Sequence, residues 1–401
     1  MQNIIFISKD ALRKSALPVY GGGDWKTPNI DELAKKGTVF HRHYTAAAST
    51  AMAFTSMAIQ KYCYETGRKL YDGKEASENG NTIFDILYEK GYDVHIAWDN
   101  SYTSFAQAHF RCEGLHTTIH SLNRIIPQHS PHVAGQFDDL TFKDEETQKG
   151  LALVENLFSD LDHGEKPVFL WLHLPHVFAG RNAYDSDIDV FDTIIGMARQ
   201  HFDDNCIYIS ADHGQMNGHK NKYSYGFDVE ESAINIPLIT PKFRGMDQVD
   251  FPTTTLQLLE IFGVETFAKR DYILCETAYY VQPKRKVAII HDSFKLCYDK
   301  HSRRFELYDL AHDPWEEHNL FYPEFYDTDR KCWYSLNQRF YYPNWKKAMD
   351  EKEYLLQKFE QMWKTGTFFE ELKQKIIFNL KQLYSRLQQK KSMKTIVNIG
   401  K

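Results

Sequence analysis

The sequence predicts an α/β protein with a doubly wound mixed sheet that has helices on both faces, followed by a small antiparallel sheet and a helical tail. Two observations support this fold class. Short apolar runs alternate with helical patterns over about the first 250 residues, which is the order of elements in doubly wound sheets. From about residue 287, the pattern changes to short strands separated by turns.

The strands of the predicted sheet are short, mostly apolar runs bounded by polar or turn residues. They are Ile4–Ile7, Val94–Ala97, Val168–Leu172, Cys206–Ser210 and Ile236–Ile239. The helical patterns between them cover Asn29–Lys36, Thr82–Lys90, Gln148–Leu161 and Val190–Gln200. Ligands bind beyond the carboxyl ends of the strands in such sheets. We therefore expect functional residues just after Ile7, Leu172 and Ser210.

The C-terminal part is predicted to consist of smaller units. The antiparallel strands are Val287–His291, Phe294–Tyr298 and Phe305–Leu310. An aromatic-rich stretch then leads to two helices, and the last carries an apolar stripe from Leu372 to Leu387 that must pack on the body of the protein or on a second subunit. The predicted division is an α/β domain, an antiparallel subdomain, and an aromatic-rich segment with the C-terminal helices, over residues 1–285, 286–330 and 331–401.

Composition and charge exclude several classes of protein. The chain of 401 residues has 54 acidic and 48 basic residues, and this net charge of −6 gives no basic field for nucleic acid. No apolar run is long enough to cross a membrane. The N-terminus resembles a strand rather than a signal peptide, and the six scattered cysteines indicate free thiols. We expect a cytoplasmic protein, and the basic tail after Ser385 leaves a peripheral position at the inner membrane face open.

Acidic residues and a histidine follow two of the predicted strands. Asp10 comes after the first strand, where an isolated aspartate is usually a helix cap. Asp212 and His213 follow another strand, and Gly214 allows a tight turn there. Carboxylate and imidazole ligands together suit a divalent ion such as Zn²⁺ or Mn²⁺.

Hydroxyl and basic residues supply further candidates. Small residues lead to Ser49 and Thr50 at the start of a helical pattern, where a hydroxyl is either an N-cap or a nucleophile activated by the helix end and a cation. His173 and His176 follow a strand and either contact a substrate oxygen or stabilise a turn. His219 and Lys222 either bind an anionic substrate or belong to a solvated loop.

Taken together, these motifs resemble the sulfatase branch of the alkaline-phosphatase superfamily over roughly residues 3–320. The matching segments are Asn3–Arg13, Thr27–Leu33, Pro175–His176, Asp212–Gly214, Ile236–Leu238 and Glu306–Leu320. The resemblance implies an alkaline-phosphatase-like fold, with residues 1–285 as the catalytic domain. It also implies a hydrolase or phosphotransferase, with Arg13, His219 and Lys222 as substrate-binding residues.

The sequence departs from the sulfatase pattern at the nucleophile. Sulfatases have Cys-x-Pro-x-Arg or its serine version, whose first residue becomes formylglycine, but this chain has Thr50, Met52 and Phe54 at these positions. Threonine cannot form that aldehyde. The paired carboxylates at the end of the first strand are also reduced to one, because Ala11 follows Asp10.

A single acid, a threonine and Asp-His resemble the ligands of transferases that move phosphoethanolamine or phosphoglycerol. This resemblance implies a phospho-Thr50 intermediate, with His176 and His173 acting on the departing oxygen. It also implies one divalent cation held by Asp10, Thr50, Asp212 and His213. Zn²⁺ or Mn²⁺ is the preferred ion, Ca²⁺ and Mg²⁺ stay open, and His219 is the candidate ligand for a second ion.

The predicted function is phosphoester transfer to a glycan or hydrolysis of a phosphodiester. The substrate is a phosphoester or sulfoester, carried on a glycan or on a lipid-linked precursor. Two alternatives remain: a sulfuric ester hydrolase that works without formylglycine, and a non-catalytic binding protein. The C-terminal helices leave a homo-oligomer open as well.

Overall fold

A mixed eight-stranded sheet is the largest element of the fold, as the sequence predicts. The computed structural model describes residues 1–23, 25–62, 64–65, 82–99, 117–122, 145–162, 165–174, 181–277, 286–321, 325–327, 332–335 and 340–365. The chain forms two compact units, Met1–Lys352 and Glu353–Lys401. All elements below lie in the first unit except the end of the last helix. No described helix has the length and apolar character needed to span a bilayer.

The described strands are short, as is usual for globular proteins. They are β1 (Ile4–Lys9), β2 (Thr38–Phe40), β3 (His43–Tyr44), β4 (Asp93–Asp99), β5 (Thr117–Leu122), β6 (Val168–Leu174), β7 (Ile207–Ala211), β8 (Met216–Asn217), β9 (Tyr223–Ser224), β10 (Asn235–Ile236), β11 (Leu238–Thr240), β12 (Gln248–Val249), β13 (Thr253–Thr254), β14 (Ile273–Glu276), β15 (Lys286–His291), β16 (Phe294–Asp299), β17 (Arg304–Asp309), β18 (Phe325–Asp327), β19 (Cys332–Ser335) and β20 (Phe340–Tyr342).

The helices alternate with these strands along the chain. The α-helices are α1 (Pro28–Lys36), α2 (Thr50–Ile59), α3 (Ile83–Glu89), α4 (Glu145–Asp162), α5 (Arg181–His201), α6 (Glu231–Ile234), α7 (Leu258–Ile261) and α8 (Trp345–Thr365). Short 3₁₀ helices cover Lys14–Ala16, Pro18–Tyr20, Asp204–Cys206, His219–Asn221 and Thr255–Gln257. The four predicted helices are confirmed as α1, α3, α4 and α5. The predicted apolar stripe from Leu372 to Leu387 lies outside the described residues.

The large sheet has the spatial order β12-β2-β11-β7-β1-β6-β4-β5. Its five strands from β7 to β5 are parallel, whereas β11 is antiparallel to both of its neighbours. Side chains of α1, α4 and α5 pack in one apolar core and those of α2, α3 and α7 in another. Because the side chains of a strand alternate between the two faces, these cores cover opposite faces of the sheet. The doubly wound prediction is confirmed.

Two differences from the predicted strands have physical reasons. The predicted strand Ile236–Ile239 is divided between two sheets: β10 pairs with β3, and β11 joins the large sheet. Pro237 lies between them and has no N–H to donate to a continuous ladder. The sequence analysis also missed β5, which lies at the edge of the large sheet. Four of its six residues are polar, so β5 lacks the apolar run by which the other strands were predicted.

The C-terminal antiparallel sheet contains the three predicted strands and one more. Its order is β14-β15-β16-β17, and β14 lies within the residues predicted to belong to the α/β domain. The fully buried Lys295 of β16 anchors this sheet, because its Nζ lies 3.1 Å from Glu231 of α6 and 2.7 Å from Glu316. Burial opposes the charge, but the two carboxylates raise the pKa of Lys295 well above its usual range.

The N-terminus of α1 is held by a carboxylate from α5. Asp192 is 4% exposed and accepts hydrogen bonds from the backbone N–H groups of Asn29 and Ile30, at 3.1 and 2.9 Å, and from Asn29 Nδ2 at 2.9 Å. Gly196 allows the close approach, since a Cβ there would lie 2.8 Å from Asn29 Nδ2. The Thr27–Leu33 motif is thus a helix start fixed by tertiary contacts.

We expect Asp192→Ala to lower the free energy of unfolding by about 2–3 kcal/mol, because it leaves buried N–H groups without an acceptor. Asp192→Asn keeps one acceptor oxygen and should cost less. Urea denaturation measures both changes, and Glu32→Ala on the exposed face of α1 is the control. Equal stabilities of Asp192→Ala and the control would contradict this account of the helix start.

Candidate active site

Two aspartates meet at the carboxyl edge of the large sheet because of the register between β1 and β7. Lys9 pairs with Ala211 in this parallel pair. The residues that directly follow these two, Asp10 and Asp212, therefore lie side by side where the strands end. The N–H of Asp10 also donates to Leu174 O (2.9 Å), which ties the end of β1 to β6. The structure thus brings together the two carboxylates that the sequence indicated as metal ligands.

His213 completes a cluster with these carboxylates. Its Nε2 lies 3.4 Å from Asp10 Oδ1 and 3.5 Å from Asp212 Oδ2. Its Nδ1 lies 2.8 Å from the carbonyl oxygen of Gly214. A carbonyl can only accept, so Nδ1 carries a proton, and Nε2 is the ring nitrogen that faces the carboxylates and would bind a metal ion there. This is the tautomer that a metal-binding imidazole needs.

Two backbone positions beside the cluster are tightly constrained. A Cβ at Gly214 would lie 2.2 Å from Ser232 O, so only glycine fits this approach. Ala11 has a φ of +57°, a left-handed conformation that costs a non-glycine residue about 1–2 kcal/mol. Its N–H donates to Asp212 Oδ1 (3.2 Å). The strained residue therefore helps to hold one carboxylate of the cluster.

The cluster is buried and fits a divalent cation. Asp10 is 1% exposed, whereas Asp212 and His213 are fully buried, and their ligand atoms lie within 4.8 Å of one another. Burial raises the pKa of Asp212 to about 7, with His213 opposing and Asp10 adding to the shift. Asp212 Oδ2 is buried and has no hydrogen-bond partner in the described part of the chain. A cation would supply that partner and compensate the carboxylates.

Thr50 places its hydroxyl against this cluster. It is the first residue of α2, with Ser49 as the N-cap, and is 7% exposed. Its Oγ1 lies 3.1 Å from His213 Nε2 and 3.4 Å from Asp10 Oδ1. A hydroxyl at this helix end lies where the helix dipole stabilises negative charge. The structure thus assembles the four side chains that the sequence indicated as a metal and nucleophile site.

The C-terminal sheet positions the segment that leads to Thr50. The N–H of Ala48 donates to Glu276 O (2.9 Å), and the N–H of Glu276 donates to Ala46 O (3.0 Å). Ala46 N–H donates to Thr255 Oγ1 (3.2 Å) from the opposite side. Sequence analysis did not indicate this role, because Glu276 lies in β14, which was not predicted.

His173 lies close to α2 but in an apolar setting. Its ring meets that of Phe54 edge-on, with centroids 4.5 Å apart, and its Nδ1 lies 2.8 Å from Ser8 Oγ. Burial lowers the pKa of His173 to about 3, so the ring is neutral at physiological pH. Phe54, at the position of the sulfatase arginine, is itself fully buried. His176 lies outside the described residues, so its role stays a prediction.

The three residues predicted to bind substrate occupy different settings. Arg13 is half-buried in the loop after Asp10, directly before the 3₁₀ helix Lys14–Ala16. His219 lies 4.0 Å from Glu230 and 4.0 Å from Glu317. A 310 Å³ cavity that His219 lines includes none of the four cluster residues.

Lys222 is engaged by acidic residues. Its Nζ lies 2.8 Å from Asp228 and 2.6 Å from Glu230. Burial opposes its charge, yet these carboxylates raise the pKa of Lys222 above its ordinary value. The structure therefore pairs this lysine with protein carboxylates, rather than placing it with the metal-site residues.

Tyr225 is a site residue that the sequence analysis missed. Its ring lies over the imidazole of His213, with centroids 4.4 Å apart. The preceding turn contains three non-glycine residues with positive φ, Lys220, Asn221 and Ser224. Such strained turns are concentrated at functional sites. The aromatic residues after the Asp-His-Gly motif were a signal, but the sequence analysis considered only the charges in this loop.

Comparisons with known proteins identify the family. Residues 2–241, more than half of the chain, match the family described as Sulfatase. Arylsulfatase D of Homo sapiens is 29% identical over 100 residues, which is 22% of this chain and 17% of that protein. The chain thus matches only a small part of the length of this curated relative.

Two solved structures share the fold over most of both chains. Phosphonate monoester hydrolase of Agrobacterium radiobacter has a TM-score of 0.63 at 16% identity, covering 90% of this chain and 96% of that one. A structure described as BT4656 in complex with its substrate D-glucosamine-2-N,6-O-disulfate has a TM-score of 0.59 at 14% identity, covering 90% and 98%. The match over residues 2–241 shows that the chain belongs to the sulfatase family, a branch of the alkaline-phosphatase superfamily.

Proposed function

We propose that this protein is a divalent-cation-dependent enzyme that cleaves phosphoesters through a covalent intermediate on Thr50. The observation that carries the proposal is the position of Thr50 Oγ1, 3.1 Å from His213 Nε2 and 3.4 Å from Asp10 Oδ1. Asp10, Asp212, His213 and Thr50 would hold the cation. Two carboxylates, one imidazole and one hydroxyl favour Mn²⁺ or Zn²⁺ over Ca²⁺, which prefers an all-oxygen site.

Each side chain has a distinct part in the proposed reaction. The bound cation would lower the pKa of the Thr50 hydroxyl and stabilise negative charge on the phosphoryl oxygens. Thr50 Oγ forms the new bond to phosphorus while the bond to the departing oxygen breaks in line. The Thr50 proton passes to the carboxylate of Asp10, whose Oδ1 lies 3.4 Å from Thr50 Oγ1, before or during the attack. Water or a glycan hydroxyl then releases the phosphoryl group.

We assign protonation of the departing oxygen to His176 rather than to His173. The pKa of His173 is about 3 because the ring is buried. The neutral imidazole packs against Phe54 of α2 and hydrogen-bonds with Ser8 of β1, and so connects this helix to the sheet. His173 is therefore assigned as a positioning residue, which narrows the role predicted for it from the sequence.

Sulfate-ester hydrolysis is the second candidate, and family membership favours it. Two features favour phosphoesters. Threonine cannot form the aldehyde of formylglycine. Phe54 stands at the position of the sulfatase arginine and is buried among the rings of Trp98 and Trp171. The helix therefore offers the substrate no guanidinium at that position. Turnover of a nitrophenyl phosphodiester, compared with that of nitrophenyl sulfate, separates the candidates. The intact ligand cluster argues against a purely non-catalytic protein.

Purified protein reconstituted with Mn²⁺ or Zn²⁺ should bind close to one equivalent of metal tightly. Of the two sets of converging carboxylate and imidazole ligands in the described residues, Asp10, Asp212 and His213 are all buried, whereas the other set, Asp313, Glu317 and His318, is partly exposed. Asp212→Ala should lose that metal, whereas Asp203→Ala, which changes an exposed aspartate in a distant turn, should retain it. Elemental analysis and isothermal titration measure both. A protein that takes up no metal after reconstitution would exclude the site.

Thr50→Ala should lower turnover by several orders of magnitude, because the nucleophile is removed. Thr50→Ser should keep part of the activity, since the hydroxyl remains. Ser49→Ala, at the equally buried neighbouring position, should cost much less. Mass spectrometry of an acid-quenched reaction should place a phosphoryl adduct on the peptide that contains Thr50. An active Thr50→Ala enzyme, or an adduct on Ser49, would contradict the assignment.

A further inference from the structure

The imidazole of His213 is held along its edge by the groups described above. The ring is fully buried, its Nδ1 lies 2.8 Å from Gly214 O, and its Nε2 lies 3.1 Å from Thr50 Oγ1. Contacts to ring nitrogens lie close to the plane of the ring and do not support its flat faces. A ligand nitrogen must point its lone pair at the cation, so the tilt of the ring matters as much as its position.

Tyr225 supplies a contact to one face of this ring. The two ring centroids lie 4.4 Å apart, and the ring planes are inclined by 38°. This separation is close to the lower limit of the range of about 4.5–7 Å that is typical of paired aromatic rings. Tyr225 is itself half-buried. The tyrosine thus covers one face of a candidate metal ligand.

A left-handed residue turns Tyr225 towards His213. Tyr225 directly follows β9 (Tyr223–Ser224), which pairs antiparallel with β8. Side chains two residues apart share one side of a strand, yet Tyr223 is 66% exposed whereas Tyr225 lies against the buried His213. Ser224 lies between the two tyrosines and has a φ of +73°. This conformation is unfavourable for a residue other than glycine, and here it directs the two tyrosines to different sides.

The hairpin of residues 216–226, which carries Tyr225, is fixed at its first strand and at its tip. Met216 begins the hairpin and is buried in an apolar core together with side chains of β14 and β15. At the tip, Lys222 Nζ lies 2.8 Å from Asp228 and 2.6 Å from Glu230. Both carboxylates are buried. The hairpin is therefore attached to the body of the protein on both sides of its turn.

A second lysine strengthens the attachment of the hairpin tip. Lys286 of β15 lies 2.5 Å from Asp228, the same residue that Lys222 contacts. Burial opposes the charge of this carboxylate, but the two lysines lower the pKa of Asp228 below its ordinary value. Because Asp228 is buried, water and salt screen these pairs much less than they screen pairs on the surface. The ion pairs therefore hold the hairpin against the C-terminal sheet.

We propose that Tyr225 is a positioning residue that fixes the tilt of His213 for metal binding, and that Lys222 acts through Tyr225 by holding the hairpin in place. The inference rests on the proposed function for the divalent cation. It gives Lys222 a part in the site without a contact to substrate. Through Asp228 and Lys286, the hairpin also links the affinity for metal to the C-terminal sheet.

Titration calorimetry of the full chain with Mn²⁺ alone tests the role of Tyr225 without turnover, and Zn²⁺ takes its place if the parent protein binds only zinc. Tyr225→Ala should raise the Kd of the metal about tenfold, because loss of a group that orients a metal-binding histidine typically costs roughly ten- to a hundredfold in affinity. Tyr225→Phe keeps the ring and should stay within about twofold of the parent Kd. Tyr223→Ala removes an exposed ring from the same hairpin and is the matched control. Asp212→Ala measures the metal that binds outside the cluster.

A double-mutant cycle tests whether Lys222 acts through Tyr225. Lys222→Met should raise the Kd of the metal by about fivefold or more, but it should have less than about a twofold effect when Tyr225 is already replaced by alanine. Loss of a positive charge by itself would favour the binding of a cation. Weaker binding therefore reports the displaced hairpin rather than the lost charge. Lys35→Met, which removes an exposed lysine of α1, is the charge control.

Melting curves check that each variant folds, and Tyr225→Leu or Lys222→Gln replaces a variant that does not. Four results overturn the inference: an unchanged Kd in Tyr225→Ala, equal losses in Tyr225→Phe and Tyr225→Ala, additive effects of Tyr225→Ala and Lys222→Met, or an unchanged Kd with a raised KM in Lys222→Met. The last would return Lys222 to substrate binding. A parent protein that binds neither Mn²⁺ nor Zn²⁺ rejects this inference together with the proposed function. The expected pattern of Kd values without turnover of any nitrophenyl ester supports the inference and rejects the proposed function alone.

Discussion

The electrostatic constraint on which the site depends is the burial of two carboxylates side by side at the ends of β1 and β7. Parallel pairing of Lys9 with Ala211 fixes this arrangement, since Asp10 and Asp212 follow directly. Burial makes the charged pair costly and raises the pKa of Asp212 to about 7. A divalent cation between the carboxylates would compensate that cost, so the register of β1 and β7 favours metal binding at this edge of the sheet.

The small C-terminal sheet has a direct part in this site. Its strand β14 hydrogen-bonds to Ala46 and Ala48 through Glu276, and these residues precede the nucleophile candidate Thr50. The same sheet is anchored by Lys295, a buried charge between two carboxylates. Breaking one such pair typically costs about 3–5 kcal/mol, because a buried charge loses its partner. Because β14 of this sheet hydrogen-bonds to Ala46 and Ala48, we expect a loss of the sheet's stability to displace the segment that leads to Thr50.

The departures from the sulfatase pattern form a physically coherent set. Thr50 keeps a hydroxyl at the helix start but cannot become an aldehyde. Phe54 lies in an aromatic core beside His173. An arginine at this position would be buried among aromatic rings, which offer no carboxylate to compensate its charge. Ala11 supplies a backbone N–H to Asp212 where sulfatases have a second carboxylate. Together these changes favour a site with fewer anionic ligands, in which the hydroxyl of an unmodified threonine takes the place of formylglycine.

The sequence by itself determined the fold class and indicated candidate site residues. Apolar runs have the period of strands and helices, and polar residues at strand ends share one edge of a parallel sheet. This indicated Asp10, Asp212 and His213 as candidates, whereas the resemblance to the sulfatase family selected Thr50 over Ser49.

Only the tertiary structure decided the remaining features. Three features join residues that local pattern does not relate: the ring contact between Tyr225 and His213, the hydrogen bonds of Glu276 to Ala46 and Ala48, and the pairing of Lys222 with Asp228 and Glu230. Such contacts depend on the register and packing of distant elements. Periodicity along a chain reports which face of an element is buried, but it carries no information on which partner meets that face.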